Sequence, residues 1–462
     1  MWQDGVIATD YIHACHGELA PAHLALALLA RGVAPPAVAG QPFRYAELGC
    51  GQGLTTNMLA ALHPAGRFEA IDLLASHMDG AAALAQAAGH DNVAFRCESF
   101  AEFAERDGAE FDIIALHGIW TWVDADNRRI LKTIIDRRLK PGGALFVSYN
   151  CLPGWAPDMP VRALLLQAVE RAEGTLSERI DAGLAELRRM AAMDGYFQQT
   201  PSAAELVEKL QAKSDAYIAH EYLNQHWTPF YSAEVARDLG EIGLSYAASA
   251  TITADVAVVD SETLADIRTN RRFRRDIFVR QPRHMDASER AAALSALRVA
   301  LTVPLAEVSR DLRDPVAVAL AAGPCRLDTL PGDGEAVLRS VLALVGAGMA
   351  APSLEPGDAA RCQRLNAAIL AANRTSPAIR QLAAPAFGAA LVVDILDRLF
   401  LLAEAEGADA PALAWSVLSA RGKRLRRGGQ WLDGDDNLVE LRRLHAEFDR
   451  ERRPFLAAAG IA

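Results

Sequence analysis

The sequence predicts an α/β fold in which a doubly wound parallel sheet is followed by mostly helical accessory domains. An apolar strand at residues 45–48 runs into a turn with glycines at positions 49, 51 and 53. A second apolar strand, residues 68–72, ends in an acid about 20 residues after the glycines. Further apolar strands alternate with helical stretches as far as residue 150, which is typical of a parallel sheet covered by helices on both faces.

The glycine turn is a place where a nucleotide-like ligand could approach the backbone closely, because glycine adopts positive φ angles easily. A dinucleotide turn has the pattern G-x-G-x-x-G, whereas the third glycine here comes one residue early. Glu47 would also place a carboxylate beside the phosphates of a dinucleotide, which is a repulsive contact. S-adenosylmethionine has a sulfonium, an ammonium and no phosphate, so Glu47, Gly49, Gly51 and Gly53 favour it as the cofactor. An ordinary strand-to-helix turn is the alternative.

The next elements complete the predicted sheet and its cofactor site. Asp72 ends the second strand, where a carboxylate typically accepts hydrogen bonds from ribose hydroxyls. We therefore assign Asp72 and the adjoining Leu73 to the cofactor site. Residues 111–118 form a short strand of buried type, and a turn at 139–143 leads into another strand at 144–150.

In chain order, these features resemble the successive motifs of class I S-adenosylmethionine-dependent methyltransferases. The matching motifs are the Glu-x-Gly-x-Gly-x-Gly turn, Asp72, the strand that begins Phe111-Asp112 and the Leu-Lys-Pro-Gly-Gly turn at 139–143. The resemblance implies a Rossmann-like fold and S-adenosylmethionine as the cofactor. Methyl transfer from a sulfonium requires no metal, and we predict none.

A narrower resemblance covers most of the chain. Residues 117–123, 148–150, 153–155, 220–222 and 273–280 are similar to bacterial methyltransferases that carry a methyltransferase regulatory domain. That group is similar to rickettsial protein lysine methyltransferases that modify an outer-membrane protein. The resemblance implies a protein acceptor, with lysine as the methylated residue.

The resemblance also implies further cofactor contacts. The adenine-contacting acid falls on Glu98, with Ser99 as the alternative and Phe100 beside them. His117 and Gly118 follow a strand and are candidates for the same pocket. In the family the amino-terminal segment folds over the cofactor, so Tyr11 and His16 are candidate lid residues, with an ordinary structural role as the alternative.

Aromatic residues make up only 6% of the chain, yet several follow the ends of two predicted strands. In an open α/β sheet that edge binds ligands, and aromatic faces can hold an ammonium group. Trp120, Trp122 and Tyr149 are therefore candidate acceptor-site residues, together with His117, which could line the adenine or accept a proton. For Trp155 a core position is equally compatible with the sequence. The positions of Trp120 and Trp122 predict that both rings are difficult to bury completely.

Composition sets the outer limits. The chain has 462 residues, 51% of them hydrophobic, which predicts a globular protein of several modules. The apolar run at residues 24–30 is too short to span a bilayer, and residues 1–4 lack the basic flank of a secretory signal, so we predict a cytoplasmic protein. Six scattered cysteines with no Cys-x-x-Cys pair indicate neither a zinc site nor a disulfide framework.

The net charge of -11 argues against nucleic acid as a partner, since phosphate binding needs a basic surface. Residues 268–283 are a local exception, with seven arginines and one aspartate. We interpret this stretch, and the basic residues 421–427, as a solvated helix face and an exposed loop. A docking surface for an acidic protein or for RNA is the alternative.

The predicted domains are a lid segment at 1–40, the cofactor-binding domain at 41–160, a helical and mixed regulatory or dimerisation domain at 161–300, a winged-helix-like module at 301–358 and a helical domain at 359–462. The helices after residue 160 either cap the sheet or pair two copies of the protein. The second helix of the winged-helix-like module has a single cation, Arg339, so protein contact or packing is favoured over nucleic-acid binding.

Three functions remain open from the sequence. Methylation of a protein lysine is the first, because of the aromatic cluster and the extent of the resemblance. Methylation of a small molecule or peptide product is the second. A non-catalytic protein that binds the cofactor is the third, although the sequence shows no lost motif.

Overall fold

A computed structural model describes residues 13–193, 195–253 and 261–461, together with the backbone of two short strands, β1 (Trp2–Gln3) and β2 (Val6–Ile7). The predicted α/β fold with a largely helical second half is confirmed. Its centre is a seven-stranded sheet in the order β5-β4-β3-β6-β7-β9-β8. The strands are β3 (Phe43–Leu48), β4 (Gly66–Asp72), β5 (Val93–Cys97), β6 (Phe111–Leu116), β7 (Leu139–Asn150), β8 (Leu244–Ser249) and β9 (Phe273–Arg280).

Strands β3 to β7 run parallel to one another, and β9 lies antiparallel between β7 and β8. Neighbouring residues of β3 point to opposite sides: Tyr45 packs in one apolar core and Ala46 in another. Both faces of the sheet are therefore buried, which explains why its strands are continuously apolar. The helices of this region are α1 (Pro21–Ala30), α2 (Leu54–Leu62), α3 (Ala75–Ala88), α4 (Phe100–Glu105) and α5 (Ala125–Arg138).

The sheet extends beyond residue 160, where the sequence predicts the end of the cofactor-binding domain. β8 and β9 lie within the segment predicted as a separate domain. A helical insertion with its own apolar core separates them from β7, so local sequence pattern gives no sign that the chain returns to the sheet. The insertion consists of α6 (Met159–Arg171), α7 (Leu176–Ala191), α8 (Tyr196–Gln199), α9 (Pro201–Leu210), α10 (Asp215–Tyr222) and α11 (Ser232–Gly240). Pairing of two copies through these helices stays a prediction.

The predicted turn at 139–143 is part of strand β7. Leu139 pairs with Phe111, but the next pair is Ala144 with Ile113, so the register shifts across the turn residues. Gly142 has a φ of 76°, which accommodates the irregularity. The Leu-Lys-Pro-Gly-Gly sequence therefore makes a bulge at the start of the strand.

The interpretation of residues 268–283 as a solvated helix face and an exposed loop is wrong. The stretch covers the end of α12 (Glu262–Thr269) and the whole of β9. Arg274 is buried and pairs with Asp266 and Asp276. Five more of the arginines in this stretch pair with acids: Arg271 with Asp266, Arg272 with Asp158, Arg275 with Glu18, Arg280 with Asp136 and Arg283 with Glu289. These ion pairs leave little free positive charge for an acidic partner.

The segment after the sheet packs with α1 on one face of it. It contains a three-stranded antiparallel sheet in the order β11-β10-β12. The central strand, β10, comes before helices α14 and α15 in the chain. The winged-helix assignment stays a prediction. The elements are α13 (Ala287–Ala296), β10 (Arg298–Leu301), α14 (Pro315–Leu320), β11 (Cys325–Arg326), α15 (Gly334–Gly346) and β12 (Ala350–Ser353).

The last hundred or so residues are mainly helical and share an apolar core with α2 and α3. The basic residues 421–427 lie at an exposed hairpin. None of the helices among the described residues is long and apolar enough to cross a membrane. The elements are α16 (Ala359–Ala372), β13 (Gln381–Ala384), β14 (Ala389–Val392), α17 (Ile395–Glu406), α18 (Ala410–Ala420), β15 (Arg426–Arg427), β16 (Gln430–Trp431), α19 (Asp436–Glu447), a π-helical turn (Phe448–Arg452) and α20 (Arg453–Ala458).

Candidate active site

A cavity of about 230 Å³ opens where the carboxyl ends of β3, β4 and β6 meet α10 of the helical insertion. It is the edge at which open α/β sheets bind ligands. The structure brings many of the predicted site residues together on its wall. They are Glu47, Gly49, Gly51, Asp72, Leu73, Glu98, Phe100, His117, Gly118, Trp122 and the candidate lid residue His16.

The glycine loop has the backbone geometry that its sequence predicts. Gly49, Gly51 and Gly53 have φ angles of 78°, 55° and 64°, in the region that favours glycine. A Cβ atom on Gly49 would collide with the side chain of Ile119. Gly53 is the N-cap of α2 and packs behind the loop, where a Cβ would lie 2.6 Å from that of Ala81. Gly49 and Gly51 thus face the cavity, whereas Gly53 shapes the loop from behind.

Asp72 holds the loop and faces the cavity at the same time. Its carboxylate accepts hydrogen bonds from the backbone N–H of Gly51 at 2.9 Å and of Leu74 at 3.1 Å. The Nδ1 atom of His77, a residue that the sequence analysis missed, lies 3.8 Å from the same carboxylate. A carboxylate has about four acceptor positions, so Asp72 keeps capacity for a ligand's hydroxyl groups.

Glu47 lies at the floor of the cavity and is 3% exposed. Its carboxylate accepts a hydrogen bond from the hydroxyl of Thr56. Burial raises the pKa of Glu47 to about 7, because the charged form is poorly solvated there. A positively charged ligand would favour the ionised carboxylate.

Two stacked histidines form another part of the wall. The rings of His16 and His117 lie 3.8 Å apart, and burial lowers the pKa of His16 to about 4. Between them and β9 lies Glu18, whose Oε1 atom is 3.7 Å from Nε2 of His117 and 2.8 Å from Nε of Arg275. Ligand atoms of the two histidines and Glu18 lie within 4.8 Å of one another, a spacing that could hold a cation. The guanidinium of Arg275 already neutralises that carboxylate, and the absence of a metal stays a prediction.

The two residues predicted as alternatives for the adenine contact, Glu98 and Ser99, have different environments. Glu98 lines the cavity, and its carboxylate accepts a hydrogen bond from Arg106 at 3.2 Å. Ser99 is the N-cap of α4 and forms a reciprocal capping box with Glu102. Its hydroxyl is therefore occupied in starting the helix, and Glu98 remains the better candidate.

The structure corrects the predicted acceptor site. Trp120 is completely buried in the core, contrary to the expectation that it stays accessible. Tyr149 is also buried, and its hydroxyl donates to Asp276 at 2.6 Å. Trp155 packs against Trp227 in the core of the insertion. Of these aromatic residues, Trp122 is the one that lines the cavity.

The comparisons with known proteins agree with this geometry. A methyltransferase domain matches residues 46–143, and the predicted methyltransferase regulatory domain matches residues 214–263. An uncharacterized protein of Synechocystis is 33% identical over 507 aligned residues, which cover the whole of both chains. The chain belongs to the class I S-adenosylmethionine-dependent methyltransferases that carry a methyltransferase regulatory domain. Its cofactor is S-adenosylmethionine.

Solved structures show the same fold for this methyltransferase. PKMT2 from Rickettsia typhi in complex with AdoHcy has a TM-score of 0.66 and 16% sequence identity, with 95% of this chain and 97% of PKMT2 covered. PKMT2 from the same organism, in a second structure, has a TM-score of 0.64 and covers 95% of this chain and 98% of PKMT2, at 15% identity. An uncharacterized protein of Rickettsia prowazekii is 28% identical over 273 residues, 55% of this methyltransferase and 48% of the relative.

The cavity of the methyltransferase fits its cofactor in shape and in charge. Gly49 and Gly51 present backbone without side chains at the wall, which allows a ligand to approach closely. Among the described residues that line the cavity, Glu47, Asp72, Glu98 and Glu221 are acidic, and none is lysine or arginine. That charge suits a sulfonium and an ammonium and opposes a phosphate-bearing ligand.

Several lining residues of the methyltransferase escaped the sequence analysis. Three of them come from the insertion: His220 and Glu221 lie on α10, and Asn224 lies two residues after it. Cys50 lies in the loop after β3, and His77 lies on α3. His220 and Glu221 belong to a segment similar to the family but carried no assigned role, because nothing local connects α10 with the sheet edge. The predicted lid residue Tyr11 lies outside the described residues.

Proposed function

We propose that this methyltransferase transfers a methyl group from S-adenosylmethionine to the side-chain amine of a lysine in a protein. The observation that carries the proposal is the charge of the cavity, whose described lining has four acids and no basic side chain other than histidine. Such a wall repels a carboxylate or phosphate acceptor and attracts an amine. The resemblance to rickettsial protein lysine methyltransferases and the fold shared with PKMT2 support the same acceptor class.

When bound, S-adenosylmethionine supplies a methyl group on a sulfonium that leaves readily. The protein's contribution is to align the acceptor and to exclude water. We assign Asp72 to the ribose, the backbone of Gly49 and Gly51 to the close approach of the ligand, and Glu98 to the adenine. Trp122 is our candidate for the ring that packs on the aliphatic stem of the acceptor.

The acceptor amine has to be neutral before it can act as a nucleophile. With an ordinary pKa near 10.4, the neutral form of a lysine costs about 4.6 kcal/mol at pH 7. Burial of the stem in the cavity lowers this cost, and a proton acceptor on the wall lowers it further. We assign that second role to His117, because it lines the cavity and Nε2 faces the carboxylate of Glu18.

Transfer of labelled methyl groups to host proteins tests the proposal. The purified full chain is incubated with methyl-labelled S-adenosylmethionine and host lysate, and labelled protein is hydrolysed for amino-acid analysis. We expect the label in methylated lysine, with incorporation by Asp72→Ala reduced when the cofactor is limiting. Label confined to small molecules, or to carboxyl esters, would favour the alternative acceptor class and contradict the proposal. As part of the same proposal we place the enzyme in the cytoplasm, which cell fractionation followed by immunoblotting would check.

A further inference from the structure

Glu221 lies on α10 and lines the cavity from the side of the helical insertion. The chain after α10 is hydrogen-bonded to the loop after β6 and to the end of β7. The N–H of Thr228 donates to the carbonyl of Thr121 at 2.9 Å, and the N–H of Phe230 donates to the carbonyl of Asn150 at 3.0 Å. α10 is thereby held beside the loop that contains Trp122.

The carboxylate of Glu221 differs from the other acids of the cavity. Glu47 accepts a hydrogen bond from Thr56, Asp72 from two backbone N–H groups, and Glu98 from Arg106. Within the described part of the chain, no hydrogen bond or ion pair engages the carboxylate of Glu221. It is the one acid on the described wall whose acceptor capacity is entirely unused.

An unpartnered carboxylate in a partly dry cavity costs free energy, because it has lost water and gained nothing in return. Burial correspondingly raises the pKa of Glu221. A ligand that brings a positive charge to this position recovers the lost solvation. The position therefore predicts a cationic or hydrogen-bond-donating group in the bound state.

The cofactor's own contacts point to the acceptor as the source of that group. The residues that we assign to ribose, adenine and the close backbone approach all come from the loops after β3, β4 and β5. Glu221 comes from the insertion, which the hydrogen bond from Thr228 to Thr121 holds beside the loop of Trp122. An aromatic ring and a free carboxylate that line one cavity suit a primary ammonium at the end of an aliphatic stem.

We propose that Glu221 binds the ammonium group of the acceptor and so makes the cavity select a primary amine over an uncharged acceptor of the same shape. The inference rests on the proposed function, which it deepens by assigning the group that recognises the lysine. Binding precedes proton loss: the amine enters as an ammonium on Glu221, and its proton then passes to the ring of His117 or to solvent.

Two small acceptor analogues test this assignment without knowledge of the natural substrate. Nα-acetyl-lysine methylamide carries the ammonium, and Nα-acetyl-norleucine methylamide has the same stem without it. Binding of each to the full chain saturated with S-adenosylhomocysteine is followed by ligand-observed NMR titration. We expect the wild type to prefer the lysine compound at least tenfold, and Glu221→Gln to reduce that preference to less than threefold with norleucine binding unchanged.

The controls separate a binding role from a structural one. Glu221→Asp keeps the charge and should retain part of the preference, and Glu205→Gln removes an exposed acid of the insertion and should retain all of it. A wild-type preference below tenfold, including undetectable binding of both compounds, overturns the inference. So does a Glu221→Gln variant that keeps the preference, or one whose affinity for S-adenosylhomocysteine falls more than threefold, since Glu221 would then belong to the cofactor. Failure of the lysate experiment alone would reject the protein acceptor and leave this amine preference standing.

Discussion

The Oε1 atom of Glu18 lies 3.7 Å from Nε2 of His117, which joins a residue that precedes the sheet to the loop at the end of β6. The same oxygen lies 2.8 Å from Nε of Arg275 on β9. Burial alone would raise the pKa of Glu18, but the nearby ring of His117 and the charge of Arg275 outweigh it and hold the pKa below its ordinary value. An ionised carboxylate therefore lies beside the ring of His117.

Glu18→Gln should lower the turnover of labelled lysate protein by about 100-fold, because a correctly oriented proton acceptor contributes on that scale. The affinity for S-adenosylmethionine should change less than threefold, since Glu18 is not on the cavity wall. Radiolabel incorporation gives the turnover and calorimetry gives the affinity. Glu205→Gln serves as the control for loss of one acid. Equal turnover by Glu18→Gln and the wild type would show that this carboxylate does not serve the reaction.

Asp72→Asn should weaken S-adenosylmethionine binding by about 1–3 kcal/mol, because hydroxyl groups of the ligand lose a charged acceptor. The amide also places an N–H₂ group near the N–H of Gly51 or Leu74, so the loop should loosen slightly. Calorimetric titration measures the affinity for the cofactor. Denaturant unfolding of the cofactor-free chain measures the change in stability, so that the two effects can be distinguished. An unchanged dissociation constant would remove Asp72 from the cofactor site.

Gly49→Ala tests the glycine loop. With a φ of 78° and Ile119 in the way of a Cβ atom, alanine should cost about 2 kcal/mol of stability from backbone strain and crowding. Cofactor affinity should fall as well. Gly80 on α3 is the matched control, because nothing lies within 4 Å of its Cβ position. Gly80→Ala should stabilise the protein by about 0.5–1 kcal/mol. The same stability change in both variants would mean that the loop tolerates a side chain.

The cofactor half of the cavity could be predicted from local sequence because its residues follow strand ends directly. Gly49, Asp72 and His117 each come within a few residues of a strand, and parallel strands bring their carboxyl ends to one edge. Residues that directly follow these strands in the sequence therefore lie close together in the fold. Glu221 could not be placed in this way, because α10 reaches the cavity only through the packing of a helical insertion.

Two other differences have the same physical origin. The arginines of residues 268–283 are interpreted from the sequence as surface cations because their acids, among them Glu18 and Asp158, come from distant parts of the chain. The tryptophans at 120 and 122 lie in a turn after β6, and both have apolar neighbours, so the sequence does not say which of them faces the cavity. Only the tertiary packing decides that Trp120 enters the core.

Trp120→Ala and Trp122→Ala should therefore behave differently. Trp120 is fully buried, so its truncation should cost about 3–5 kcal/mol of stability. Trp122 is half-buried on the cavity wall, and its truncation should change stability by less than about 1.5 kcal/mol while reducing methyl transfer to lysate protein at least tenfold. Denaturant unfolding and label incorporation measure the two effects. A parallel loss of stability and cofactor affinity in Trp122→Ala would make it a packing residue like its neighbour.

Glu47 should make the stability of the cofactor-free protein depend on pH. Its pKa is about 7 in the folded chain against an ordinary value of 4.5, so between these values the folded state binds more protons than the unfolded state. Stability from this group is fully present below pH 4.5 and is lost as the pH rises through 7. Over that window the loss is on the order of 3 kcal/mol.

Glu47→Gln has no ionisable group at this position, so its stability should not fall with pH for this reason. The unfolding free energy of the variant minus that of the wild type should therefore rise by about 2 kcal/mol from pH 5 to pH 8. Any pH-independent cost of altering the hydrogen bond from Thr56 is the same at both pH values and does not affect this rise. Urea unfolding of both proteins at pH 5 and pH 8, without cofactor, measures the difference. The wild type should also bind S-adenosylmethionine more tightly at pH 8 than at pH 6, because a cation is best held by the ionised carboxylate, and Glu47→Gln should lose that pH dependence. A difference in unfolding free energy that stays constant from pH 5 to pH 8 would show that Glu47 ionises normally, and the charge argument for its contact with the cofactor would fail.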